Sequence, residues 1–426
     1  MTIDSTTRPL EVLICGGGIA GQALAFWLAR SGHRPLVVER FPALRDAGAQ
    51  VDLRGQGIDA AKRMGVFDAI RDHLVDEAGI TLVNQRGRGL GTVLANRSGK
   101  GRQSLTSEFE IMRGDLVRIL HDAASGQEGV EYRYGVSVDR FEQHDDRVTA
   151  YFSDGTTHEV DLLVGADGQG SRVRSAIAEP GAADPYLRFG LHMAYWSIPR
   201  IASDGALRDG YIAPRGRLVW RRSPSPTESQ AYFVLREQSD EARLVHRQPV
   251  EQQKAFWSSR FRDAGWQVPR FIDGMSTTSN FYSQEALQVR IGAWSQGRVV
   301  LVGDAAHCAS PFSGMGVSGA LVGAYVLAGE ISRHPDDLPR ALAAYDRTLR
   351  PFVDTVQAGV DPRKLQLGMP TTRAAVRVVQ VGTVLACGLR IPALISRFAR
   401  EERGGDWPLP DYPALRAATA ASRPLT

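Results

Sequence analysis

The sequence predicts an α/β fold with a Rossmann-type, glutathione-reductase-like nucleotide-binding domain, an inserted and mainly antiparallel β domain, and a helical C-terminal tail. Three observations predict it. A strand, a glycine-rich turn, a helix and a second strand follow one another between residues 11 and 39. Short aromatic and β-branched runs fill residues 187–289, and helical patterns dominate after residue 339. The 426 residues also exceed one ordinary domain of about 150 residues.

The composition is that of a globular protein, with 43% hydrophobic residues, 23% charged residues and a net charge of +4. No block of lysine and arginine predicts a nucleic-acid or polybasic membrane surface. The three cysteines share no metal-ligand spacing, so we expect no metal site, no disulfides and a cytoplasmic location. Charged residues and Pro392 interrupt the apolar stretch 376–398, so we expect no integral membrane segment. The oligomeric state, monomer or homodimer, stays open.

The first element is a βαβ unit that carries a dinucleotide-binding turn. Its three glycines, in the pattern G-x-G-x-x-G, allow a tight turn, close approach of a pyrophosphate and close packing of the helix on the strand. An acid that ends the second strand can accept hydrogen bonds from a ribose. The alternative is a chance glycine cluster at a helix start, and the motif alone does not separate FAD from NAD. We assign to cofactor binding Gly16, Gly18, Ile19, Ala20, Gly21, Glu39 and Arg40.

A second match to the same pattern, residues 55–60, lies in a different context. The preceding Val51-Asp52-Leu53 is too short and polar for a buried strand, and no strand ending in an acid follows. We interpret residues 55–60 as a helix start. The sequence therefore predicts one firmly held nucleotide cofactor.

Two later motifs indicate which cofactor this is. Asp161–Gly168 with Ser171–Arg174 is similar to the "DG" motif of class A flavoprotein monooxygenases. Arg298–His307, continuing through Pro311–Gly316, resembles their "GD" motif. That family includes p-hydroxybenzoate hydroxylase and the tetracycline-inactivating monooxygenases. The resemblance covers roughly residues 10–350 and implies that the cofactor is FAD.

The resemblance also implies which further residues bind FAD. The GD aspartate, Asp304, bonds the ribityl chain, the glycines after Pro311 bring backbone amides to the flavin, and Arg113 starts a helix that crosses over FAD. Asp52 is expected near the flavin and Arg45 near FAD or the entering NADPH. A helix cap is the alternative for Asp304, and a solvated surface charge is the alternative for each arginine. The set is Arg45, Asp52, Arg113, Asp167, Gly303, Asp304, Pro311, Gly314, Gly316 and Val317.

By the same resemblance, the chemistry is borne by the flavin. NADPH or NADH delivers a hydride, O₂ then forms a C4a-hydroperoxyflavin, and this hydroxylates an aromatic or polyketide-like small molecule in a single-component enzyme of antibiotic biosynthesis or resistance. Baeyer–Villiger insertion is the other outcome on the same intermediate. No catalytic side chain is predicted, and His307 is expected to be structural.

Three other functions stay open at this point. A flavin-dependent halogenase would carry W-x-W-x-I-P, of which residues 194–199 keep only the second half. A reductase or dehydrogenase of the same superfamily and a non-catalytic flavoprotein are the other two.

The substrate pocket is less well defined by the sequence. Alternation in Phe189–Trp196 places one set of side chains over a cavity and the other toward the core, but it does not decide which. Met315 stands where many relatives have a polar residue, so the wall facing the flavin is expected to be more apolar. Each candidate has a core or surface position as its alternative. The candidates are His192, Met193, Tyr211, Arg215, Trp220, Phe233 and Met315.

These assignments divide the chain into interleaved domains. We expect the FAD-binding domain to comprise residues 1–78, 102–184 and 285–335. The substrate domain is expected to comprise residues 79–101 and 185–284, and the C-terminal helices residues 336–426.

Overall fold

The computed structural model describes residues 8–45, 48–75, 77–94, 109–389 and 406–416. The strands are β1 (Glu11–Cys15), β2 (Arg34–Glu39), β3 (Gln50–Asp52), β4 (Gly79–Val83), β5 (Gly89–Leu94), β6 (Glu110–Met112), β7 (Glu131–Tyr134), β8 (Val138–Gln143), β9 (Val148–Phe152), β10 (Thr157–Val160), β11 (Leu162–Gly165), β12 (Tyr186–Pro199), β13 (Arg208–Ala213), β14 (Arg217–Arg222), β15 (Glu228–Arg236), β16 (Phe281–Val289), β17 (Ser295–Gln296) and β18 (Val299–Leu301). The helices are α1 (Ile19–Arg30), α2 (Gln56–Met64), α3 (Phe67–Asp72), α4 (Arg113–Ser125), α5 (Arg172–Ile177), α6 (Asp240–Leu244), α7 (Val250–Phe261), α8 (Val268–Thr277), α9 (Asp304–His307), α10 (Gly316–Arg333), α11 (Leu338–Ala358), α12 (Pro362–Leu367), α13 (Arg373–Gly388) and α14 (Pro413–Arg416).

A six-stranded sheet, here called the parallel sheet, forms the centre of the first domain. Its order is β17-β18-β11-β1-β2-β7, and every neighbouring pair is parallel except β17 with β18. β1 and β18 are apolar runs without alternation because helices and strands cover both of their faces. Helix α1 packs against α4 and α10. This arrangement brings the ends of β1, β2 and β18 to one edge of the sheet.

The short alternating runs in residues 129–164 predict a β-meander, and the structure differs from this in part. β8, β9 and β10 form the expected antiparallel sheet, but β7 pairs with β2 and β11 pairs with β1, both in parallel. β11 is fully buried along its length, as a central parallel strand is, whereas β9 alternates buried and half-buried residues. A separate two-stranded ribbon pairs β3 with β6.

The second domain is a seven-stranded sheet, here called the substrate sheet, of order β16-β12-β15-β14-β13-β4-β5. Its pairs are antiparallel except β13 with β4. β4 and β5 fall in the segment 79–101 that the sequence assigned to this domain, and residues 95–101 lie outside the described residues. Helices α6, α7 and α8 cover one face of the sheet around Trp196 and Phe233, neither of which is exposed. The sequence did not predict these three helices.

The C-terminal helices contact both domains. α11 packs along α10, and α13 lies against β5. Residues 406–416 dock on the first domain, where the Tyr412 hydroxyl donates to Glu330 Oε1 at 2.7 Å and Trp407 Nε1 donates to the Thr348 carbonyl at 3.2 Å. Tyr412 and Glu330 are 2% and 1% exposed. No helix within the described residues is long and apolar enough to cross a membrane.

Candidate functional site

The glycine-rich turn joins the carboxyl end of β1 to α1. Gly16 has φ +118°, and a methyl group on it would lie 2.6 Å from the Ala166 carbonyl oxygen, so this position requires glycine. The Gly16 amide donates to the Val38 carbonyl at 2.8 Å. Glu39 Oε2 accepts the Gly17 amide at 2.9 Å. The acid at the end of β2 therefore fixes the turn itself, and the turn lies between β1 and β11.

The N-terminus of α1 has the features of an anion site. Its N-cap is Gly18, which supplies no side chain to the first amides of the helix. A methyl group on Gly18 would meet a single neighbour, Arg113 Nη2, at 3.8 Å. Uncapped amides with open space before them, beside an arginine, suit a pyrophosphate. Ile19 and Ala20 form the first turn of α1, and Ala20 lies against Gly303.

Three arginines lie around this turn. Arg113 begins α4, its Nη1 donates to the Arg45 carbonyl at 3.3 Å, and its side chain packs on Gly48. The Arg45 guanidinium lies 4.8 Å from the Phe41 ring centroid and 5.3 Å from that of Tyr282. Arg40 is exposed on the outer side of Phe41. Arg45 and Arg113 thus come together in the cleft between the two domains.

Asp304 follows β18 and begins α9. Its side chain is exposed in a narrow cleft that Met315, Gly316 and Phe352 also line. The limited hydration in this cleft raises the pKa of the Asp304 carboxyl, against smaller effects of Cys308 and Arg113. Among the described residues no basic side chain forms an ion pair with it. Such a carboxylate has acceptor capacity left for the hydroxyl groups of a polyol.

Asp167 occupies a different kind of position. Its Oδ2 accepts the amides of Arg172 and Val173 at 2.7 and 3.3 Å, so it caps α5 together with Ser171. Its Oδ1 is buried without a hydrogen-bond partner in the described part of the chain. Asp167 therefore lies next to Gly16 and has a structural role at the glycine-rich turn.

The segment after α9 returns to the cleft as a short 3₁₀ turn, Pro311–Ser313, which leads into α10. A methyl group on Gly314 would lie 3.1 Å from Asp52 Oδ2, and Asp52 pairs with Arg54 at 2.9 Å. Burial and the nearby Glu110 raise the pKa of Asp52 to about 6, against Arg54 and Arg222. Two distant predicted segments, 50–54 and 311–316, therefore meet here.

The N-terminus of α10 repeats the features of α1. No side chain caps it, and open space surrounds Gly316, with no atom within 4 Å of a methyl group there. Met315 and Val317 are 8% and 7% exposed in the core beneath. Two uncapped helix N-termini, one free acid and two arginines along one cleft fit a long anionic dinucleotide such as FAD.

One face of the substrate sheet looks into this cleft. Met193, Leu218, Trp220 and Phe312 all pack against one small apolar cluster that includes Leu191 and Val234, so strands β12 and β14 and the segment before α10 share this cluster. Tyr195, two residues after Met193, lies 5.2 Å ring to ring from Tyr282. This face, here called the cleft face, consists of Met193, Tyr195, Leu218, Trp220, Tyr232 and Tyr282.

Three predicted substrate residues lie on the opposite face, and we correct their placement. Phe233 stacks on Phe261 at 4.1 Å, and Tyr211 lies edge-on to Trp266 at 6.2 Å, both in the core beneath α7 and α8. His192 is fully buried, with its Nδ1 2.9 Å from His246 Nε2. Because side chains alternate along a strand, His192 and Met193 cannot face the same side.

Arg215 is also distant from the cleft. It lies in the β13–β14 turn with φ 65°, its side chain is 74% exposed, and it pairs with Asp263 at 3.4 Å. Met193, Trp220 and Met315 are the predicted substrate residues that the structure places at the cleft.

Several cleft residues were not predicted, namely Tyr195, Tyr282, Leu218, Phe312, Arg54 and Arg222. Strand alternation predicts three of them, since Tyr195 is two residues from Met193, and Leu218 and Arg222 are each two residues from Trp220. The positions of the other three depend on contacts between distant segments.

With this geometry in place, comparison with known proteins is informative. A family model described as FAD binding domain matches residues 9–358. The FAD-dependent monooxygenase asL6 of Sarocladium schorii is 36% identical over 422 residues, which cover 95% of this chain and 99% of that relative. A flavin-dependent monooxygenase of Legionella longbeachae serogroup 1 (strain NSW150) is 33% identical over 82% of this chain and 88% of its own length. The crystal structure of tetracycline destructase Tet(51) matches with a TM-score of 0.76 and 30% identity, covering 95% of this chain and 100% of that one.

Proposed function

This chain belongs to the FAD-binding-domain family of class A flavoprotein monooxygenases and is an FAD-dependent monooxygenase, and from this we propose that it uses NADPH or NADH and O₂ to hydroxylate a flat aromatic or polyketide-like molecule. The halogenase, the reductase and the non-catalytic flavoprotein that the sequence left open are therefore set aside. The cleft face carries the proposal about the substrate. Its aromatic and thioether side chains stand opposite the segment 311–316, where the flavin ring of the family would lie.

We assign FAD to the residues that fit it. The amides at Gly18 hold the pyrophosphate with Arg113, and Asp304 accepts hydrogen bonds from the ribityl hydroxyls. The amides of Gly314 and Gly316 face the ring, with Asp52 beside them. Bound FAD supplies the redox chemistry, in that it takes a hydride from the nicotinamide and activates O₂ for transfer of one oxygen atom to an electron-rich carbon.

The side chains contribute binding, orientation and exclusion of water. Arg45, held over Phe41 and Tyr282, is placed to meet the anionic or nicotinamide part of the hydride donor. Met193 and Trp220 offer an apolar wall to a flat ring. Tyr195 and Tyr282 are the polar groups on this wall that can orient a substrate hydroxyl or carbonyl.

Tet(51) is a tetracycline destructase, and its similarity over nearly the whole chain favours a polycyclic phenol or enol as the substrate class here. The electrophilic oxygen that a flavin monooxygenase transfers reacts best at such electron-rich carbons. Correct positioning of that carbon is then the main demand on the protein.

The test is a screen of phenols and polyketides against the FAD-loaded protein. A substrate stimulates NAD(P)H oxidation without an equal yield of H₂O₂, and ¹⁸O from ¹⁸O₂ enters the product. Tyr195→Phe should then raise KM or lower coupling, whereas Tyr211→Phe, the matched change on the opposite face, should not. Equal behaviour of the two variants would contradict the assignment of the cleft face.

A further inference from the structure

A buried group of charged side chains lies between the β3–β6 ribbon and the cleft face. We call it the acid–arginine cluster, and it consists of Asp52, Glu77, Glu110, Arg54, Arg208 and Arg222. Glu110 is 2% exposed, and the side chain of Glu77 is 7% exposed. Nothing in the FAD site described above requires Glu77 or Glu110.

The inner end of the cluster touches the cleft. Asp52 lies against Gly314 in the segment before α10, and its side chain is 20% exposed. Asp52 and Glu110 stand directly opposite each other in the antiparallel β3–β6 pair, so their side chains are neighbours on one face of the ribbon. Gln50 Nε2 donates to Glu110 Oε2 beside them.

Two arginines connect Glu110 to Glu77. Arg208 Nη2 lies 2.8 Å from Glu77 Oε1 and 3.1 Å from Glu110 Oε1. Arg222 Nε lies 3.4 Å from Glu77 Oε2, and its Nη1 lies 3.6 Å from Glu110 Oε2. The two carboxyl groups are thus held by the same pair of guanidinium groups.

The outer end opens into a small polar cavity. The cavity is narrow, with no room for a free water molecule, and Glu77, Arg208, Arg222 and Ser223 line it. Ala206, another lining residue, is exposed, so the cavity reaches the surface. The cluster therefore runs from solvent to the FAD site.

Two carboxyl groups of the cluster, Glu77 and Asp52, have raised pKa values, which favours their protonated forms. Burial raises the pKa of Glu77 above its usual range, and Glu110 and Asp52 add to this against Arg222. Asp52 is raised as well, to a pKa of about 6, by burial and Glu110 against Arg54 and Arg222. Negative charges this close make the ionised forms of Glu77 and Asp52 less favourable.

We propose that the acid–arginine cluster conducts the proton that turnover takes from water, from Glu77 at the surface cavity through Glu110 to Asp52 at the FAD site. The proposal rests on the function proposed above. The overall reaction consumes NAD(P)H, O₂, substrate C–H and one proton, and yields NAD(P)⁺, substrate C–OH and water. The Asp52 side chain is only 20% exposed at the FAD site, so a proton reaches it mainly through neighbouring side chains rather than through bulk water.

The experiment follows proton uptake directly and needs no substrate. The FAD-loaded protein is photoreduced without air and mixed with O₂ in weak buffer containing a pH-indicator dye. Reduced flavin, O₂ and one proton then give oxidised flavin and H₂O₂. Flavin absorbance reports reoxidation, and the dye reports the proton.

Glu77→Gln should slow proton uptake about tenfold or more while FAD affinity stays within about twofold of wild type. Asp52→Asn should slow proton uptake as well. The control is Glu237→Gln, since Glu237 binds Arg260 at 2.9 and 3.0 Å on the far face and should behave as wild type. Should Glu77→Gln fold poorly, Glu77→Asp replaces it, with a smaller loss expected.

Unchanged proton uptake in a folded, FAD-bound Glu77→Gln protein would overturn the relay and leave the cluster as an ion-pair network, with the proposed function intact. An infrared titration is a second, independent test of the proton relay. A protonated carboxyl band should disappear between about pH 5 and 9 in wild type and be altered in Glu77→Gln. No such band in wild type would also refute the proposal. Wild-type protein that fails to bind FAD would instead refute the proposed function.

Discussion

Gly18 and Gly21 belong to the same motif, but the structure predicts opposite consequences for changing them. A methyl group on Gly21 would lie 2.0 Å from the Gly16 carbonyl oxygen, which belongs to the turn and cannot move without disturbing β1. A methyl group on Gly18 would meet Arg113 Nη2 at 3.8 Å, an ordinary contact. Gly18 also has φ −80° and ψ −172°, which any residue adopts. Gly21 is therefore required by the fold, and Gly18 by the ligand.

The magnitudes follow from these contacts. Gly18→Val should change the free energy of unfolding of the FAD-free protein by no more than about 0.5 kcal/mol, as at an open site. Gly21→Ala should cost about 3 kcal/mol or more, because the overlap involves backbone. Free FAD at 100 times its Kd should stabilise the wild type by about 2.7 kcal/mol. If Gly18→Val weakens FAD binding a hundredfold, the same FAD concentration raises the free energy of unfolding of this variant by only about 0.4 kcal/mol.

The assay is urea denaturation of each protein with and without FAD, followed by circular dichroism. Gly18→Val should resemble the wild type without FAD and should lack the stabilisation with FAD. A Gly18→Val protein that FAD stabilises as strongly as wild type would show that the pyrophosphate does not lie at this turn. A Gly21→Ala protein of wild-type stability would show that the packing of α1 on β1 is misassigned.

Four further changes test other parts of the structure. Asp304→Ala should weaken FAD by about 1.5–3 kcal/mol in equilibrium dialysis, because it removes a charged hydrogen-bond acceptor, and unchanged binding would place the ribityl chain elsewhere. Arg45→Ala should keep FAD but slow its anaerobic reduction by NAD(P)H, and a wild-type reduction rate would remove Arg45 from the donor site. Tyr412→Ala should lower the free energy of unfolding by about 3 kcal/mol, measured by denaturant, since the ring is buried against α10; a change below about 1 kcal/mol would contradict this docking. Burial and His192 lower the pKa of His246 to about 3, so the folded state favours the neutral ring. The free energy of unfolding therefore has its full value above about pH 6.5 and falls at lower pH, because the unfolded chain binds the proton first. Stability should therefore decline by up to about 1.4 kcal/mol per pH unit below about 6.5, and less in His246→Gln; equal pH profiles would refute this.

The cofactor half of the molecule was predictable because its signals are local. The turn 16–21, the strand 299–301 and the helix from Gly316 each combine a short apolar run with glycines at fixed spacing. Such patterns report chain conformation within a few residues, and the resemblance to class A monooxygenases, now confirmed, rests on them. The meeting of Asp52 with Gly314 was only implied by that resemblance, since no spacing joins residues so far apart.

The substrate half was less predictable because its decisive contacts are non-local. Alternation showed that His192 and Met193 differ in face, but only the packing of α7 and α8 on one side decides which residue meets the cleft. Helix α7 was not predicted from the sequence because it buries the polar residues Gln253 and Lys254 beside Trp257. Its sequence therefore shows no clear apolar stripe. The acid–arginine cluster draws its members from five separate segments, and each charge alone is typical of a surface.

The docking of residues 406–416 bears on how the protein is made. Helices α1 and α10 are synthesised long before this segment, so during translation Glu330 and the apolar surface beside Gly329 have no Tyr412 to cover them. Domains usually fold as they emerge from the ribosome, starting at the N-terminus. Here we expect the nucleotide-binding domain to reach full stability only after residues 406–416 have been synthesised, and a nascent polypeptide arrested near residue 390 to be captured by chaperones.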